Sequence, residues 1–100
     1  MRRAVDAPRP QFIPRQGQFL AFIHAYTLLN GRPPAEADMM RLFRLTPPSV
    51  HQMVLTLEKA GLISRQPGVA RSIVVLLDRA TLPVLLPGHA QPVKITVQRY

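Results

Sequence analysis

Along the chain, Phe19, Leu20, Phe22, Ile23, Tyr26 and Leu29 recur at the spacing of one helical face until Asn30 and Gly31 end the run. The pattern predicts a first helix of about fifteen residues from Arg15. Two prolines then bar continuation through Gly31-Arg32-Pro33-Pro34, so this stretch is a turn, and Pro34 suits the first position of a second helix over residues 34–44. Met39, Leu42 and Phe43 are its core side. A third helix follows almost at once, because Thr46 is placed to cap it with its hydroxyl and Pro47 needs no partner for an N–H. Within it Val50, Met53, Val54 and Leu57 form the buried stripe, and Ser49, Gln52, Thr56 and Lys59 lie opposite. Leu55 interrupts the polar side by pointing outward beside Gln52. Gly61 suits a left-handed helix stop, and the aliphatic run from Leu62 leaves it as a strand.

Residues 62–65 and 72–77 read as paired strands around a loop at residues 66–71, which makes a β-hairpin with arginines at its flanks. Together these elements predict an α+β winged helix-turn-helix: three helices, a two-stranded hairpin wing and an extended C-terminal tail. The boundaries fall at residues 1–14, a flexible basic arm with three prolines and three arginines, at 15–78, the folded domain, and at 79–100, a proline-broken tail. Alternation at residues 93–97 suggests a strand there.

Composition narrows the function classes. With 100 residues and 47% hydrophobic content there is one core and no room for a second domain. Thirteen Lys and Arg against five Asp and Glu give a formal charge of +8, which favours a polyanion, nucleic acid ahead of an anionic membrane surface. No apolar run is long enough to span a bilayer and the start lacks a signal peptide's apolar stretch, so a cytoplasmic protein with no membrane partner is expected. The absence of cysteine and the scatter of three histidines argue against a metal, and no cofactor is expected. Paired carboxylates, a nucleophile with its base and a phosphate-binding glycine loop are all missing, so the chain reads as a non-enzyme.

A polar face that follows a tight turn and precedes a basic hairpin points to duplex DNA. Ser49, Gln52 and Thr56 are placed to enter the major groove, with base readout assigned to Gln52, whose amide can bond two edge atoms of adenine. Thr46, Pro48, His51, Leu55 and Lys59 complete that surface. Arg65, Arg71 and Ser72 on the hairpin, with Arg44 before the helix, are placed to meet the backbone or minor groove. Each has a plainer reading as a solvated or capping residue, and His24, His89 and the aromatic stripe read as structural. One such unit touches few base pairs, so a homodimer is the expected working form. Two alternatives stay open: a protein-interaction winged helix, suggested by Leu55 and the apolar tail, and a DNA-binding accessory protein of a plasmid or mobile element.

The turn Gly31-Arg32-Pro33-Pro34, the helix ending Leu57-Glu58-Lys59-Ala60-Gly61-Leu62-Ile63 and the basic wing leading into Ile73-Val74-Val75-Leu76-Leu77 resemble the N-terminal winged-helix DNA-binding domain of LexA repressors. The helix ending is shared with MarR-like regulators. The resemblance implies operator binding by the third helix. It does not imply self-cleavage, because Lys94 is the only lysine after Lys59 and no room remains for a Ser/Lys domain. His51 and Gln52 stand where that family tends to be acidic, so the family's operator sequence is not carried over.

Overall fold

In the computed structural model, which describes residues 12–91, three helices lead into a two-stranded antiparallel hairpin. They are α1 (Pro14–Asn30), α2 (Glu36–Phe43), α3 (Pro47–Lys59), β1 (Ile63–Ser64) and β2 (Val74–Val75). This is the α+β winged-helix layout expected from the apolar pattern. The expected arm lies outside the described residues except where α1 begins, and so does the expected strand at residues 93–97.

α1 starts one residue earlier than the expected Arg15 because Pro14 has no N–H to satisfy, and the Gln16 side chain turns back to accept the N–H of Ile13 at 3.1 Å. Gly31 stops it in the left-handed conformation, φ 75°, where its N–H reaches Thr27 O. α2 is shorter than expected. The Asp38 carboxylate accepts the N–H of Ala35 at 2.8 Å, which fixes Ala35 as the cap and leaves Pro34 buried ahead of the helix rather than opening it.

α3 begins at Pro47 as expected and ends at Lys59, one residue before the expected Ala60, but its cap does not use the expected bond. Thr46 stands at the cap, yet its hydroxyl donates to Ser49 Oγ at 3.0 Å and makes no bond to a helix N–H. Pro47 and Pro48 supply no N–H, so two of the usual orphan donors are missing and a side-chain cap has less to satisfy. Gly61, φ 79°, then turns the chain into β1.

The core lies where the three helices and the hairpin meet. Phe19 stacks on Phe43 with ring centroids 4.0 Å apart, Phe22 meets Phe43 edge-on, and Val50, Val54 and Leu57 close the other side from α3. Leu42, expected in the core, is only half-buried. The strands are shorter than their sequence pattern, pairing Ile63 with Val75 and Ser64 with Val74. Beyond them Arg71 takes a left-handed conformation, φ 57°, and Ser72 gathers the loop, so the ladder cannot continue outward.

The tail does not leave the domain at residue 78. Between two short 3-10 turns, Arg79–Thr81 and Gly88–Ala90, it lies against α1, held by the buried side chain of Gln18. Its amide nitrogen donates to Val84 O at 2.9 Å, and its oxygen accepts from the Leu86 N–H and from Gln91 Nε2, both at 2.8 Å.

Candidate nucleic-acid interface

α3 presents Ser49, Gln52 and Thr56 on one exposed side because its apolar stripe is pulled into the core. These three residues and Pro48 share an open concavity of about 470 Å³ with Arg15 and Gln16 from the start of α1. Thr56 donates its hydroxyl to Gln52 O at 2.9 Å, so its oxygen is left to accept. The Ser49 oxygen already accepts from Thr46, so its own O–H is left to donate. The Gln52 side chain is exposed, and its amide has no hydrogen-bond partner among the described residues.

Charge is distributed less simply. Lys59 at the end of α3 and Arg44 before it are exposed and have no ion-pair partner among the described residues. His51 is exposed, with Nδ1 3.1 Å from a Glu36 carboxylate oxygen. Leu55, expected to point outward, is half-buried. A second concavity of about 400 Å³ opens between the hairpin loop and the starts of α2 and α3, and His51, Arg65, Arg71 and Ser72 line it.

The hairpin arginines are turned toward the domain. Arg65 Nε donates to Glu58 Oε1 at 3.0 Å, tying the end of β1 to α3. Arg71 Nη1 reaches Tyr26 OH at 3.1 Å, Asp38 Oδ2 at 3.1 Å and Pro33 O at 3.3 Å. Ser72 Oγ donates toward Val69 O and accepts the N–H of Gln66, so it serves the loop's own shape. The intervening residues, Gln66-Pro67-Gly68-Val69-Ala70, carry no charge.

Sequence reasoning did not single out Arg15, Gln16, Gln18 or Asp38, and left Tyr26 ambiguous. For Asp38 a signal existed: an acid beside Met39 and one turn before Leu42, at the edge of the apolar stripe of α2, needs a cation or a donor. It has both. The Ala35 N–H, and then the nearby Arg71 and Arg41 guanidinium groups, hold its carboxyl below the ordinary 3.8 against the opposing effect of burial. The folded domain therefore keeps Asp38 ionised to lower pH than the unfolded chain does. Its stabilisation is complete above pH 3.8 and is lost as acid protonates the folded form. Urea midpoints measured from neutral pH downward should fall in that acid range, and Asp38→Asn should flatten the fall.

Comparison with known proteins agrees with this geometry. Residues 11–72 match the family described as LexA DNA binding domain. The chain is 39% identical over 74 residues to the LexA repressor of Thermosipho africanus, a stretch covering 74% of this chain and 37% of that protein. It is 35% identical over 74 residues to the LexA repressor of Thermosipho melanesiensis, again over 37% of its length. With the LexA repressor of Thermotoga petrophila it shares 38% identity over 61% of this chain and 31% of the relative. The chain thus spans about a third of the length of the curated relatives it matches.

Proposed function

Because the chain belongs to the LexA family through its DNA-binding domain, we propose that it binds double-stranded DNA sequence-specifically and regulates transcription, with no catalytic step of its own. The reading places α3 in the major groove, with Gln52 reading a base edge and Ser49 and Thr56 beside it on bases or phosphates. Lys59 and Arg44 meet the backbone at the two ends of that helix, and Arg15 and Gln16 meet it from the start of α1. The wing lies along the flanking backbone. Two copies on two half-sites, in the cytoplasm, make the working form.

The observation that carries this reading is the outward row Ser49, Gln52 and Thr56, set in one concavity with Arg15 on a chain of formal charge +8. Titration against mixed-sequence duplex at low and moderate salt tests it: affinity should fall steeply as salt rises, and no binding at low salt would sink the proposal. Selection from random duplexes then supplies a preferred site. On that site Gln52→Ala should reduce discrimination between cognate and altered duplexes by about 1 to 3 kcal/mol. Equal weakening on every sequence would instead assign Gln52 to the backbone.

A further inference from the structure

The wing has little to hold it in place by backbone pairing alone. Its strands are two residues each, with two paired positions between them, and a hairpin of that size is marginal by itself. Ser72 shapes the loop internally but does not attach it to the helices. Arg65 fastens the β1 side to Glu58 of α3. On the β2 side Ile73 is buried in the core, and the loop end of the strand is fastened by Arg71.

Arg71 reaches three separate parts of the fold at once: Tyr26 of α1, the carbonyl of Pro33 in the turn, and Asp38 of α2. Its guanidinium carbon also lies 5.8 Å from the centre of the Tyr26 ring. Asp38 is fixed in turn by the Ala35 N–H and by Arg41, so the acceptor is held before the wing arrives. Residue 71 has a positive φ, 57°, that a side-chain-bearing residue rarely adopts.

We infer that Arg71, with Asp38 and Tyr26, is a positioning lock that sets the angle of the wing against the helices, and that Arg71 does not itself contact DNA phosphate. The inference rests on the proposed duplex binding for its functional consequence, but the lock is a property of the domain with or without DNA. A fixed wing follows the backbone beside α3. A loosened one must be ordered at the moment of binding, and affinity drops for that reason rather than through lost charge.

Charge and geometry make opposite predictions here. Asp38→Asn makes the chain one unit more positive than its formal +8, so simple electrostatics tightens duplex binding, whereas loss of the lock weakens it. Arg71→Lys keeps the charge, but its ammonium ends short of the position of Nη1, which makes all three contacts, and it lacks the flat guanidinium beside the Tyr26 ring. The experiment measures binding of both variants, and of Arg71→Gln and the milder Tyr26→Phe, to a mixed-sequence duplex across a salt series. Amide exchange at residues 63–64 and 74–75 is followed by NMR in the free proteins, at temperatures where each is folded.

Asp38→Asn and Arg71→Lys should each lose about tenfold in affinity, with the salt dependence of Arg71→Gln unchanged and hairpin exchange faster in all of them. Tyr26→Phe should shift both readouts in the same direction by less. The inference is overturned if Arg71→Lys binds as the parent does while Arg71→Gln lowers the salt slope by about one. Tighter binding by Asp38→Asn, or unchanged hairpin exchange, also overturns it. If the parent chain binds no duplex, the functional proposal fails separately, and faster hairpin exchange in the variants still upholds the lock.

Discussion

Phe19→Ala should cost the domain about 3 to 5 kcal/mol, the upper part of the range for a large buried side chain. Phe19 is completely buried, and its ring lies nearly parallel to that of Phe43, 4.0 Å away, so alanine would remove the filler between α1 and α2. None of its neighbours can refill the space easily. Phe43 is already packed edge-on to Phe22, and Leu20 and Ile23 are occupied elsewhere in the same core. Small domains hold about 5 kcal/mol or somewhat more in total, so this single change should leave a substantial unfolded population at room temperature. Urea unfolding of the parent and variant measures it directly. Duplex binding should fall in proportion to the folded fraction with its salt dependence unchanged, which separates a loss of fold from the loss of a contact at Gln52. A cost below about 1 kcal/mol would mean that this aromatic stack is not the centre of the core.

The aromatic stack was legible in the sequence because helical periodicity is a local signal, and Phe19, Phe22, Ile23 and Phe43 follow it. So were the limits of α3, where Pro47 and Gly61 act on backbone torsions within a single turn. The outward row of Ser49, Gln52 and Thr56 came with them as the complement of the buried stripe. What local pattern could not supply is where long polar side chains go. Arg71 looked like a cation on a loop, and only the fold brings it to Asp38, 33 positions earlier in the chain. Leu55 looked outward on a helical wheel, yet it is half-buried. The tail was opaque for a related reason: its prolines conceal any period, and its polar attachment runs through one glutamine on α1 bonded to backbone atoms 66 and 68 positions away, beside Leu82 packed on the core.

That glutamine carries the second large effect. Gln18 treats the tail as a neighbouring strand would, donating to the carbonyl of Val84 and accepting the N–H of Leu86, two residues on, so one side chain satisfies two backbone groups of an extended segment. Gln91 then folds back onto the same oxygen and onto Leu86 O. Gln18→Ala should destabilise the domain by about 2 to 4 kcal/mol, since several part-buried groups lose partners together. The cost is capped by the alternative of undocking the tail and returning those groups to water. The Leu86 amide should therefore exchange faster in the variant while amides of α3 keep their protection relative to the global unfolding rate. Uniform loss across the domain would show that Gln18 supports the core rather than the tail. The preceding residue gives a stricter test. A Cβ on Gly17 would stand 2.8 Å from the Phe12 ring and 3.0 Å from Pro83, so Phe12 ahead of α1 and Pro83 of the tail both crowd a helical glycine that alanine would otherwise improve by about 1 kcal/mol. Gly17→Ala should lower stability in the parent and lower it less, or raise it, once Gln18→Ala has released the tail. Additive effects would mean that Gly17 and Gln18 do not act on the same docked segment.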